Sequence, residues 1–411
     1  MAHYDPLETQ DVAVREAQLS EALPIQIAHA QQHSPAFARI LQGIDANTIT
    51  SRAALARLPV VHKSELMELQ KEGRPFGGFA ALAISDLARI FQSSPGPVYQ
   101  PEGRRSDYWR FARALFAAGF REGDLIHNAF SYHFTPAGFM VEAGARALGC
   151  AVFPAGSEQP ELQVEAIADL KPQGYTGTPT FLRTILDKAA EMEADISSLT
   201  KALVSRAILS PSRRREFKER GIEVMQCYAT DDLGLIAFET SALEGLVVDE
   251  GLLVEIVHPG TGEPLAEGKV GELVVTTFNP EYPLIRFATG DLSAILPGPS
   301  PCGCTNTRIK GWLGRVDQAV QVKGMFVHTS QVAMVLKRHP EILKGRLVVD
   351  REDHNDVMTL HCEVADPSAT LAQAITASIR ELCKLRGEVV FTAPGTLPND
   401  GKMIDDIRQY A

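Results

Sequence analysis

The chain has 411 residues, 45% of them hydrophobic and 22% charged, and a net charge of −11. That length allows more than one domain and a sizeable core, while the acidic balance argues against nucleic acid as the main partner. No apolar run is long enough to span a bilayer, the opening MAHYDPLETQ lacks a secretory pattern, and six scattered cysteines make no disulfide framework, so no membrane partner and a cytoplasmic location are expected.

Residues 11–42 read as helical, with Pro24 and Pro35 the only prolines. Tyr108, Ala112, Leu115 and Phe116 share one helical face that Gly119 is placed to end. A strand is predicted over Asp124–Phe130, then a helix ending near Gly149, an apolar strand over Cys150–Pro154, and a helix over Leu162–Leu170. Strand and helix alternating at this spacing imply right-handed crossovers and a largely parallel, doubly wound sheet. From Gly245 the period shortens towards two. LLVEIVHPGTGEPLAEGKVGELVVTTF reads as antiparallel strands around a Pro-Gly-Thr-Gly turn, a small β unit beside the main sheet. ILPGPSPCGCTN is loop. Beyond Gly314, strands over Arg346–Asp350 and Val357–Val364, a helix over Leu371–Leu385 and a strand over Glu388–Thr392 make a compact α+β unit. The expected class is therefore α/β. A large N-terminal domain (1–314) carries mainly parallel sheets plus a small β unit, and a small α+β C-terminal domain (315–411) follows.

Phosphate-loop, zinc-protease and nucleophile-elbow signatures are missing. Four segments carry candidate chemistry. In YPLIRFATGDL (residues 282–292), Asp291 after Thr-Gly could accept hydrogen bonds from the vicinal hydroxyls of a ribose, or simply cap a turn. In GWLGRVDQAVQVKGMFV (residues 311–327), Arg315 could meet a phosphate and Asp317 a hinge, or the two could form a surface ion pair. In LPNDGKM (residues 397–403), Lys402 could stabilise developing charge from a mobile loop, or be a solvated surface lysine. In QCYATDDLG (residues 226–234), Asp231 and Asp232 suit magnesium on a nucleotide phosphate, or an N-cap and first-turn charge on a following helix.

Together and in this order, the segments resemble the phenylacetate–coenzyme A ligase family of adenylate-forming enzymes. YDPLETQ, LARLPVVHKSELME, PLIRFATGDL, GRVDQAV and GTLPNDGK carry the resemblance over nearly the whole chain. It implies ATP, magnesium and coenzyme A as cofactors and a small carboxylic acid as substrate. It further implies that Asp291 binds ribose, Arg315 contacts ribose or phosphate, and Asp317 is the hinge of a mobile C-terminal domain. Lys402 would serve adenylation, and Tyr228, with Ala229 and Thr230, would hold adenine. Asp232 would stand in for a magnesium-binding Glu, and Lys323 and Gly324 would join the cofactor-binding set. A homodimer is compatible with it.

Three departures from the family pattern stand out. Ser93, Ser94 and Gly96 remain of its Ser/Thr/Gly-rich phosphate loop, but the lysine is gone and Pro95 and Pro97 remove backbone donors. Asp232 is one carbon shorter than Glu. Cys302 and Cys304 resemble half of a zinc site, but FETSALEGLVVD has Thr240 and Val247 where an upstream Cys and His would fall, so no structural zinc is expected. Phe130, Tyr132 and Phe134, with Phe139, could line an apolar acyl slot or belong to the core. The leading reading is an aryl- or acyl-CoA ligase. The alternatives are an adenylating enzyme with a non-CoA acceptor, to which the bulky KGMFVHTSQV segment is suited, and a non-catalytic ligand-binding relative.

Overall fold

The computed structural model describes residues 2–93, 98–316, 319–323, 325–352, 355–398 and 402–408. The chain divides into two compact units, one of residues 1–289 and 293–313, the other of 290–292 and 314–411.

The first unit opens with helices α1 (Val12–His33), α2 (Pro35–Ile40) and α3 (Arg52–Leu55), strand β1 (Val61–His62) and helix α4 (Lys63–Glu72). Strands β2 (Arg89–Ser93) and β3 (Val98–Glu102) form an antiparallel hairpin. Then come α5 (Phe111–Ala117), β4 (Leu125–Asn128), α6 (Ala137–Ala147), β5 (Ala151–Pro154), α7 (Pro160–Leu170), β6 (Gly174–Gly177), α8 (Pro179–Glu191), β7 (Lys201–Val204), α9 (Pro211–Glu219) and β8 (Glu223–Thr230). Strands β9 (Gly234–Glu239), β10 (Leu246–Val248), β11 (Leu252–Val257), β12 (Gly271–Thr277), β13 (Phe287–Ser293), β14 (Ile295–Leu296) and β15 (Arg308–Ile309) complete it.

Five strands, in the order β8-β7-β6-β4-β5, pair in parallel, as the strand–helix alternation predicts. Chain order reverses beside β4: the crossover through α6 leads outward to β5, and the next, through α7, returns past β4 to β6. The gap between the carboxyl ends of β4 and β6 is thus a topological switch point, where ligands of such sheets bind. Antiparallel β9, β10, β15 and β14 extend the sheet beyond β8. The alternating run after Gly245 gives the antiparallel β11–β12 ladder, in a separate sheet ordered β1-β13-β12-β11.

Two sequence expectations shift. Tyr108 lies outside α5, because Arg110 adopts a left-handed φ of 65° and Asp107 receives the N–H groups of Phe111 and Ala112, so the helix starts at Phe111. No helix follows Asp231 and Asp232; they occupy the tight turn between β8 and β9.

The second unit holds hairpin β16 (Ala319–Val322) and β17 (Met325–His328), helix α10 (Thr329–Arg338), strands β18 (Ile342–Glu352) and β19 (Asn355–Val364), helix α11 (Ala369–Cys383), and strands β20 (Glu388–Thr392) and β21 (Ile404–Asp406). Its four-stranded sheet runs β20-β19-β18-β21. Val349, Leu360, Ile375 and Ile379 fill a core of its own. No described helix is long and apolar enough to cross a membrane.

Candidate active site

Asn128 closes β4 at the switch point. Its Nδ2 donates to Tyr132 Oη at 2.7 Å and to the Gly138 carbonyl at 2.9 Å, and its Oδ1 accepts from Thr176 Oγ1 at 2.9 Å. The aromatic loop 129–136 is thereby tied to the ends of β4 and β6. Tyr132 meets Phe139 edge-on at 5.0 Å, and Phe139 lies 5.3 Å from Phe91. Burial raises the Tyr132 phenol above its ordinary range. Of the acyl-slot candidates, Phe130 belongs to the buried core, while Phe134 is 64% exposed with φ 62°. The loop brings Tyr132 and Phe139 together and leaves Phe134 facing solvent.

Beside this loop, the β2–β3 hairpin is pinned from two sides. Gln70 on α4 exchanges two 2.8 Å hydrogen bonds with the backbone of Tyr99. Gln100 Nε2 donates to Ser93 Oγ at 2.6 Å and to Asp232 Oδ1 at 3.0 Å. Lys63 Nζ sits 2.6 Å from Asp232 Oδ2. Lys63, Gln100, Ser93 and Asp232 therefore form one network that ties together the two strands flanking the segment where the resemblance puts a phosphate loop. Ser94 and Gly96 lie outside the described residues.

As a magnesium ligand, Asp232 does not fit. Both its oxygens are engaged and its side chain has no exposure, so a cation there would compete with the Lys63 ammonium. Asp231 turns towards Arg206 at 3.7 Å, and burial raises its carboxyl above the ordinary range.

Tyr228 lies in β8, followed by a register shift before Ala229. Its Oη comes within 3.5 Å of Thr289 Oγ1, which donates to the Leu273 carbonyl at 3.0 Å. Thr230 Oγ1 accepts from Leu233 N at 3.2 Å and holds the β8–β9 turn.

In the second unit, Asp291 and Arg315 come together. They form an isolated antiparallel bridge, Leu292 N donates to the Gly314 carbonyl at 2.8 Å, and Arg315 Nη1 stands 3.4 Å from Asp291 Oδ1. Asp291 lies within β13 instead of at a strand end. Gly290 is required here: its φ is +76°, and an added Cβ would sit 2.9 Å from Arg315 Nη2. Lys323, at φ 48° in the β16–β17 turn, donates its N–H to Asp356 Oδ2 at 3.0 Å. Lys402 precedes β21, its ammonium 3.4 Å from Asp405 Oδ1. Asp317 and Gly324 lie outside the described residues.

Sequence reasoning did not single out Lys63, Gln100 or Thr289. Lys63 offered one signal: it is a cation at the first position of a helix, where the dipole disfavours it unless an anion is near.

The AMP-binding enzyme family model matches residues 107–279. A phenylacetate-coenzyme A ligase from Thermus thermophilus is 31% identical over 385 residues, covering 89% of this chain and 85% of its own. One from Aromatoleum evansii is 29% identical, over 90% and 86%. Among solved structures, an open conformation of 2-hydroxyisobutyryl-CoA ligase in complex with 2-HIB-AMP and CoA superposes with a TM-score of 0.85 at 23% identity. It covers 98% of this chain and 94% of that one, and shows the shared fold. With a relative above 30% identity spanning most of both sequences, the chain belongs to the phenylacetate–coenzyme A ligase family of AMP-binding enzymes.

Proposed function

We propose that the chain is an acid–thiol ligase that uses ATP to convert an aryl or small acyl carboxylate to its acyl-adenylate. A carboxylate oxygen attacks the α-phosphorus and pyrophosphate leaves; the thiol of coenzyme A then attacks the acyl carbon and AMP leaves. The observation that carries this reading is the pairing of Asp291 with Arg315, in a chain that matches coenzyme A ligases over nearly its whole length.

The roles follow from chemistry and family position. Asp291 has the acceptor oxygens a ribose diol needs, and Arg315 supplies donors for ribose or phosphate. Tyr228 forms an adenine wall with Ala229 and Thr230, while Tyr132 and Phe139 supply apolar surface to the acyl group. Lys402 serves the adenylation step, where an ammonium stabilises charge developing between carboxylate and α-phosphate. The Ser93 network holds the turn that cradles the phosphates. Lys323 and Gly324 border the cofactor. Residues 315–411 turn about Asp317 between the two half-reactions, so one fold serves two transition states. Magnesium enters with the nucleotide phosphates.

The test is magnesium-dependent ATP–pyrophosphate exchange over a panel of aryl and short acyl acids, with coenzyme A consumption measured separately. Exchange with one class of acid, lost in Lys402→Ala, together with thioester formation, is the expected result. Exchange without thioester would move the acceptor away from coenzyme A. No exchange and no ATP binding across the panel would overturn the ligase reading.

A further inference from the structure

The N-terminal segment crosses the Cys302-Gly303-Cys304 loop and brings three metal-ligating side chains to one place, with the Cys302 thiol beside one of them. His3 Nδ1 lies 3.2 Å from Glu8 Oε2 and 3.8 Å from Cys304 Sγ, and these three atoms all fall within 4.8 Å of one another. The Cys302 thiol neighbours that of Cys304 and lies 3.0 Å from Ser300 Oγ. Cys302, Cys304 and Glu8 are buried, and His3 is partly so.

We propose that His3, Glu8, Cys302 and Cys304 form a structural site for zinc that anchors the N-terminal segment to the first unit. A tetrahedral zinc with bonds of about 2.0–2.3 Å needs ligand edges of about 3.3 Å between N and O and about 3.6 Å between N and S. The 3.2 Å and 3.8 Å separations match those two edges to within about 0.2 Å, and the Glu8–Cys304 edge lies within 4.8 Å. Cys302 is the fourth donor. Two thiolates, an imidazole and a carboxylate select a borderline-soft divalent ion over magnesium or calcium.

The surroundings suit a metal site. Glu8 presents Oε2 to the cluster while its Oε1 receives Arg113 Nη1 at 2.9 Å, an outer contact that orients the carboxylate and offsets the site's negative charge. Thr305, one residue after Cys304, holds the other side of the segment. Its N–H donates to the Glu8 carbonyl at 2.9 Å, its hydroxyl to the Gln10 carbonyl at 2.6 Å, and Arg15 Nη1 donates to that hydroxyl at 2.7 Å. Gly303, at φ +89°, gives the loop the reversal that turns both thiols inward. A cavity of about 160 Å³ bounded by His3, Glu8, Thr240, Cys302 and Cys304 leaves room for the ion. This proposal runs against the expectation of no structural zinc. Residues 238–249 supply no ligand, and the missing two come from about 300 residues away.

The experiment uses the full chain with no N-terminal tag, reduced, freed of metal and titrated with cobalt(II). Expected are one cobalt per chain, a thiolate-to-cobalt charge-transfer absorption with tetrahedral d–d bands, and displacement by zinc. Cys304→Ser should lose the charge-transfer band, and His3→Ala and Glu8→Gln should each weaken binding at least tenfold while near-ultraviolet circular dichroism confirms that they fold. No band from wild type with all six thiols reduced would overturn the proposal. So would a Cys302–Cys304 disulfide in the chain as isolated. Wild-type affinity in both His3→Ala and Glu8→Gln would overturn the ligand set.

Discussion

Asp232 and Asp291 are carboxylates set beside a cation, and they are built for opposite ends. Asp232 has no side-chain exposure, an ammonium at 2.6 Å on one oxygen and an amide at 3.0 Å on the other. Asp291 keeps 12% side-chain exposure and meets its guanidinium at 3.4 Å, and that Arg315 is 37% exposed. A close pair whose carboxylate is shielded from water, even with Lys63 25% exposed, gives up its partner only at a substantial desolvation cost. A longer, partly solvated pair can be rearranged by an arriving ligand for little. The residue type is the same in both places; spacing and burial make one a pin and the other a receptor.

The sharpest break falls on the pin. Asp232→Ala leaves Lys63 and Gln100 without their carboxylate; loss of one partner from a fully buried pair costs about 3–5 kcal/mol, and the 25% exposure of Lys63 puts this case at or below the lower end. The urea midpoint should fall accordingly, and Lys63→Met with Asp232→Leu should recover most of the loss. If Asp232→Ala unfolds like wild type but no longer binds ATP, Asp232 is the receptor and the contrast inverts.

The next effect falls on the receptor. Asp291→Ala removes acceptors for two ribose hydroxyls, and charged hydrogen bonds of this kind are worth about 1.5–3 kcal/mol each. The kcat/KM for ATP in pyrophosphate exchange should drop by about 100-fold. The urea midpoint should barely move, because the pair is partly exposed. A kcat/KM within threefold of wild type would remove Asp291 from the nucleotide site.

Local patterns were legible in the sequence; meetings between distant segments were not. The run after Gly245 marked the β11–β12 ladder, which the fold buries at every position, and the apolar runs marked β4 and β5, because strand-forming apolar stretches are local features of the chain. Asp291 and Arg315, 24 residues apart, could be named together because each sits in a recognisable segment. Lys63 and Asp232 are 169 residues apart, and nothing local to either announces the other. The same holds for His3 and Cys304, separated by 301 residues, so a ligand count confined to neighbouring sequence stopped at two. Arg110 shows the complementary failure. The helical pattern from Tyr108 is real, yet a single left-handed residue delays the helix by three positions.

A smaller change probes the receptor's geometry instead of its charge. Gly290→Ala keeps Asp291 and Arg315 but adds a Cβ 2.9 Å from Arg315 Nη2, at a φ of +76° that alanine adopts with strain. Arg315 must shift by a few tenths of an ångström to accommodate it. A loss of about tenfold in kcat/KM for ATP, with a stability change of about 1 kcal/mol, is the expected pattern. Wild-type kinetics in this variant would mean that the exact approach of Arg315 to residue 290 has no bearing on nucleotide use.

Asp107 extends the comparison to a carboxylate held mainly by backbone. It accepts N–H bonds from Phe111 at 2.8 Å and Ala112 at 3.0 Å at the start of α5, and burial pushes its carboxyl up to about 7, with Asp249 nearby adding to the rise and Arg110 opposing it. The unfolded value is about 3.9, so between about pH 4 and pH 7 the folded chain holds a proton that the unfolded chain has lost. This contribution to stability is complete below about pH 4 and is lost as pH rises towards 7. Asp107→Asn carries no titrating proton and keeps one acceptor oxygen, so it gives up one of the two N–H bonds and starts from a lower stability. Urea midpoints measured across pH 4–7 should therefore decline less with rising pH in the variant than in wild type, whereas parallel profiles would mean that the two N–H bonds hold the Asp107 carboxylate ionised despite its burial.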